Sequence, residues 1–202
     1  MNRGPVVDVA VVDDRAFRHH APNWWGNLLL ILIEAAVFAL LAASYFYIRR
    51  NFDTWPPART LLPDLGVSSV NLLLLIVSVM PYWYAARLAF VPERPLRVGV
   101  WLMIGVAFGL AAIVLRVFEF RALHTRWDSN AYGSITWTLL GVHLAHLIAG
   151  TLQGFVVGLA MFLGPVEKKH YTDTTVTAMY WYFIVISWVA LYGIVFLAPR
   201  FI

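Results

Sequence analysis

Five long apolar runs leave this chain few ways to fold. A hydrocarbon core about 30 Å thick needs about 20 apolar residues at 1.5 Å each. Stretches of that length fall at residues 24–48, 67–90, 98–120, 134–163 and 176–198. They are continuous, as in LLLILIEAAVFALLAA, rather than alternating, which favours helices over barrel strands. The expected fold class is therefore an all-α integral membrane protein. A bundle of five transmembrane helices, within residues 24–202, follows an extramembrane tail of residues 1–23. The fourth run is long enough that its helix should tilt or project from the bilayer.

Composition supports this reading. Apolar residues make up 61% of the chain and charged residues 13%, about half the charge of an ordinary soluble domain. That is too little to coat a globule, which excludes a soluble enzyme, a disordered chain and a collagen-like repeat. The net charge of +4 comes from Lys and Arg spread thinly between the apolar runs. They fit flanking anchors and give no nucleic-acid patch. They also divide almost evenly between the two membrane faces, so bulk charge leaves the orientation open. There is no cysteine, hence no disulfide, iron–sulfur cluster or thiolate metal site.

Aromatic residues mark the ends of the runs, as amphipathic rings do at headgroup level. Trp24 and Trp25 open the first, and Tyr82, Trp83 and Tyr84 close the second. The tail before Trp24 has no hydrophobic core, so it does not read as a signal peptide. Trp55-Pro56-Pro57 predicts a stiff turn-rich loop, Pro81 a kink near the end of the second helix, and Gly164-Pro165 the end of the fourth.

Ionisable groups at membrane depth are costly and need partners. Glu34 lies about 14 Å along the helix from Trp25, near the middle of the bilayer. It either carries its proton or meets a partner from another helix or a buried water. His143 and His146, three apart, occupy one helical face between Gly141 and Gly150, two glycines that permit close helix approach. They suit interhelical hydrogen bonds, with metal or haem ligation as the competing reading. Arg116 and Glu119 are spaced to pair along one face, and Arg116 is long enough to snorkel. Asn71, Ser68, Ser69, Ser78 and Gln153 suit hydrogen bonds between helices. No nucleophile elbow, phosphate loop or His-Glu-x-x-His helix is present.

At these same positions the chain resembles subunit III of the haem–copper oxidases, the cytochrome c and quinol oxidases. The likeness runs in order from about Leu30 to Leu197. ILIEAAVFALLAASYFYI is similar to the family helix with a buried glutamate, here Glu34. Trp55-Pro56-Pro57 matches a family loop, and Asn71 a polar position on the next helix. Glu119, in the segment FEF, matches a family carboxylate. Tyr132-Gly133-Ser134 followed by GVHLAHLIAGT is the most specific match, and YWYFIVISWVALYGIVFL resembles the closing helix. Two N-terminal helices of longer members are absent, as in short five-helix bacterial forms. Tyr182, Val185 and Thr175 stand where many members carry histidine, aspartate and glutamate.

The resemblance implies a subunit without catalytic residues and without bound metal. Haem and copper belong to partner subunits. It implies subunit I as the principal contact, subunit II and other oxidase subunits nearby, membrane lipids around it, and a bound phospholipid. Its role would be to stabilise subunit I and to support proton uptake and oxygen access during reduction of dioxygen to water. Glu34, Glu119, His143 and His146 would form a buried polar cluster, with Asn71, Arg116 and Gln153 as secondary polar positions. The family orientation sets the N-terminus in the cytoplasm of a bacterial inner membrane and the C-terminus outside. Competing readings are a subunit of a nitric-oxide-reductase-like complex, a di-histidine haem anchor for electron transfer, and a small transporter coupled through Glu34.

Overall fold

The computed structural model describes residues 21–58, 60–89, 95–163 and 168–201, with the side chains of 168–171 left aside. Most of the expected tail and the expected helix stop at Gly164-Pro165 lie outside these residues. Five helices follow in chain order: α1 (Pro22–Arg49), α2 (Gly66–Leu88), α3 (Pro95–Ala122), α4 (Ala131–Leu163) and α5 (Lys168–Tyr192). The last continues through a π-helical turn (Gly193–Leu197) into a 3-10 turn (Ala198–Arg200). All five are long and apolar enough to cross a bilayer. With 33 residues, α4 is about 50 Å long, well beyond the hydrocarbon core.

Local sequence sets the ends. Pro22 opens α1, where its missing N–H costs nothing. Asn130 caps α4, its side-chain oxygen accepting from the Gly133 N–H at 2.8 Å. Pro81 sits inside α2, which nevertheless continues to Leu88. The loop from α1 to α2 is pinned by Trp55, whose indole N–H donates to the Tyr45 hydroxyl at 2.8 Å and whose ring meets Tyr132 edge-on. The Trp55-Pro56 peptide bond is cis.

Each of α2 and α4 packs against both α3 and α5, while α1 lies along the seam between α4 and α5. In α1 only 11% of the most apolar stretch is buried, against 33 to 44% in the other four helices. Leu29, Leu30, Leu32, Ile33 and Leu40 face outward, as apolar side chains do next to lipid or another apolar polypeptide. Helix approach is close around Tyr82, which stacks on Trp181 at 4.5 Å. A side chain at Gly105 of α3 or at Gly154 of α4 would run into the Tyr82 ring or hydroxyl. Both positions require hydrogen in place of a methyl group. Of the two glycines flanking the histidine pair, Gly150 abuts Ile184 and Trp181 of α5, whereas Gly141 faces open space.

Candidate functional site

Two layers of polar side chains lie inside the apolar bundle. The inner layer centres on Arg116. The spacing of Arg116 and Glu119 on α3 brings guanidinium and carboxylate to 2.7 Å, with neither side chain exposed. Arg116 therefore turns inward rather than snorkelling to water. A second guanidinium nitrogen lies 3.0 Å from His143 Nδ1 on α4. The charge sits 3.5 Å above the ring of Trp188 on α5, a strong cation–π position because the site is desolvated.

Hydrogen-bond logic fixes the His143 tautomer. Its Nε2 is 3.0 Å from the Ile184 carbonyl oxygen, which only accepts, so the proton is on Nε2. Nδ1 then offers its lone pair to Arg116, which only donates. Both ring nitrogens are engaged, and His143 ties α3 to α5 through α4. Asn71 of α2 lies beside the Glu119 carboxylate. The inner layer thus draws on all four helices of the α2–α5 group.

The outer layer lies on the α1 seam. Glu34 Oε2 is 3.6 Å from His146 Nε2, too long for a direct hydrogen bond, and the two side chains are 20% and 16% exposed. His146 Nδ1 donates to the Val142 carbonyl oxygen at 2.7 Å. Tyr180 of α5 brings its hydroxyl to Glu34. The Phe38 ring bridges the layers, 6.2 Å from His143 and 5.0 Å from His146.

Gln153 is elsewhere. It lies two turns along α4 from His146 and donates to the Thr177 hydroxyl at 3.2 Å. Ser69 pairs with Tyr192 at 2.7 Å, and Ser78 accepts from Trp181 at 2.9 Å, both across the α2–α5 contact. Ser68 donates locally, to the Asp64 carbonyl at 3.5 Å.

Trp188, Tyr180 and the Ile184 carbonyl escape a reading of the sequence. The only signal is weak: Ile184 and Trp188 are four apart and share a face of α5. Among the described residues, no three His, Asp or Glu side chains converge as a metal-ligand set. The arrangement can hold one buried cation against one buried anion, and it sets a mostly buried Glu beside a His on the α1 seam. It presents no nucleophile beside a base.

No family model matches the chain. Individual proteins do. Cytochrome c oxidase subunit 3 of Thermostichus vulcanus is 25% identical over 193 residues, covering 95% of each chain. Probable cytochrome c oxidase subunit 3 of Mycobacterium bovis is 27% identical over 178 residues, 85% of each chain. Cytochrome bo(3) ubiquinol oxidase subunit 3 of Pseudomonas putida is 24% identical over 180 residues, 85% of this chain and 84% of the other. Relatives named as parts of both cytochrome c and ubiquinol oxidases align along most of the chain, and five membrane-length helices accompany the match. Similarity along most of the chain to subunits 3 of both kinds of oxidase supports the subunit III family of the haem–copper oxidases.

Proposed function

We propose that this protein is the non-catalytic third subunit of a respiratory terminal oxidase in a bacterial inner membrane. It holds subunit I in its working conformation and supports proton uptake and oxygen access while dioxygen is reduced to water. Haem and copper reside in partner subunits, and this chain contributes helices, buried polar groups and bound phospholipid. The N-terminus is cytoplasmic and the C-terminus faces outside.

The observation that carries the reading is similarity to oxidase subunits 3 along nearly the whole chain. The geometry of the histidines supports it over a di-histidine haem anchor. Each nitrogen of His143 is committed to a partner, so iron ligation would break a link to Arg116 or to α5. Glu34, His146 and Tyr180 form the element suited to holding a proton near the α1 surface. Arg116, Glu119, His143 and Asn71 form the element suited to fixing helix positions.

The test is to purify the oxidase with and without this polypeptide. Haem and copper per subunit I should be unchanged by its removal, while activity should decay sooner during turnover. A Soret band from the isolated chain, lost in His143→Ala or His146→Ala, would replace this reading with the haem anchor. Immediate arrest of oxygen reduction in an assembled Glu34→Gln complex would give Glu34 a direct role in the chemistry.

A further inference from the structure

Glu34 lies near the middle of α1, so a proton that reaches it must cross the apolar bundle from one face or the other. Its surroundings differ in the two directions. Toward the end where α1 and α5 begin and α4 runs out, polar side chains from three helices share the seam. Asn27 of α1, buried and two turns before Glu34, donates to the Val176 carbonyl of α5 at 3.4 Å. Gln153 of α4, two turns beyond His146, donates to the Thr177 hydroxyl at 3.2 Å. Thr177 is buried too and donates in turn to the Asp173 carbonyl at 2.8 Å. One turn further along α5, Tyr180 brings its hydroxyl to Glu34. Because α4 runs antiparallel to α1 and α5, Asn27, Gln153 and Thr177 all lie on the same side of the Glu34–His146 pair.

In the other direction the seam is closed by rings. Phe38, one turn beyond Glu34 on α1, packs against Phe183 of α5 at 5.9 Å and against His146 at 5.0 Å. Phe183 is itself one turn beyond Tyr180, which puts both rings on the far side of the carboxylate. Polar side chains are costly along an apolar seam unless they serve one another or hold water. A side-chain amide has four hydrogen-bonding sites and can hold water in line, while a hydroxyl can accept one proton as it donates another.

We propose that Asn27, Gln153, Thr177 and Tyr180 form a proton path that charges and discharges Glu34 from the face where α1 begins. The two amides order water, and the two hydroxyls hand the proton on. Tyr180 gives its proton to the Glu34 carboxylate and takes one from the water behind it, so the phenol is restored and one proton has moved from the aqueous face to the acid. Among the described residues, His146 of α4 and Tyr180 of α5 are the titratable groups that face Glu34. The inference rests on the reading of Glu34, His146 and Tyr180 as a proton-holding element, and not on which electron donor the oxidase uses.

The test follows the Glu34 carboxyl in the purified oxidase that contains the full chain. Its infrared carbonyl stretch, assigned by its loss in Glu34→Gln, shifts when the complex is moved from water to heavy water, and the rate of that shift is the readout. Thr177→Val and Gln153→Leu should each slow the exchange by about tenfold or more, since a positioned proton-transfer group contributes at least that scale. Thr177→Ser keeps the hydroxyl and should exchange at the wild-type rate. Phe183→Leu, on the closed side, should leave the rate unchanged.

Wild-type rates in both Thr177→Val and Gln153→Leu overturn the path. Equal slowing in Thr177→Ser and Thr177→Val would mean disturbed packing and no relay through the hydroxyl. Faster exchange in Phe183→Leu with no effect of the other variants would place the entry on the opposite face. A Glu34 that shows no protonated band at any pH defeats the proton-holding reading itself, and the path with it.

Discussion

Arg116 is the residue on which the interior depends. A guanidinium with no exposed surface is tolerable because carboxylate, imidazole and indole surround it at 2.7, 3.0 and 3.5 Å. Removing one member of such a pair strands the other. Arg116→Met should therefore destabilise the protein by about 3–5 kcal/mol, while the double variant Arg116→Met, Glu119→Leu should recover most of the loss. Thermal unfolding in detergent checks this; a double variant no more stable than the single one contradicts it. His143→Ala removes a donor to Ile184 and an acceptor for Arg116. It should cost about 1–3 kcal/mol and lower the melting temperature, without changing the haem or copper content of a purified complex. The spacing of Arg116 and Glu119 was legible as a pair because residues three apart lie on one helical face. Its partners Trp188 and Asn71 were not, since nothing local links α3 to the registers of α5 and α2.

At the scale of the helices, Tyr82 shows how close packing is achieved without a hydrophobic driving force between helices in lipid. Its ring fits between Gly105 and Gly154 and stacks on Trp181. Gly105→Ala should cost about 1–3 kcal/mol through overpacking, and Tyr82→Leu in the same chain should return part of it. Unfolding midpoints for the single and double variants decide the matter, and no recovery in the double variant would count against the wedge. The five runs were legible as helices because each must satisfy its own backbone in lipid. Their grouping was not. That α1 rides on α4 and α5 with an outward apolar face could not be read from its sequence, because a leucine facing lipid and a leucine facing a helix look alike.

For the whole molecule, five spans require the two termini to lie on opposite faces, and the near-even charge distribution does not say which. Having no cysteine makes the proposed orientation simple to test. Trp127→Cys, in the α3–α4 loop, should react with an impermeant maleimide in intact cells. Arg97→Cys, at the opposite end of α3, should react only after the membrane is opened. The reverse pattern would invert the topology. The same face as Trp127 carries a cleft whose residues come from the α1–α2 loop, α3 and α4.

The sequence alone determined that the chain lives in a bilayer, crosses it five times and carries ionisable groups at depth. Span length and hydropathy are properties of contiguous residues, and the bilayer converts them directly into helices. It also carried the family likeness, because motifs kept in order survive where overall identity is low. Only the tertiary structure decided which polar groups meet. Glu34 and His146 sit together on the α1 seam, Arg116, Glu119 and His143 lock the interior, and Gln153 stands apart. Those pairings depend on the rotation and depth of each helix against its neighbours, which are set by packing around Tyr82, Trp181 and Trp188 over separations the sequence does not encode locally.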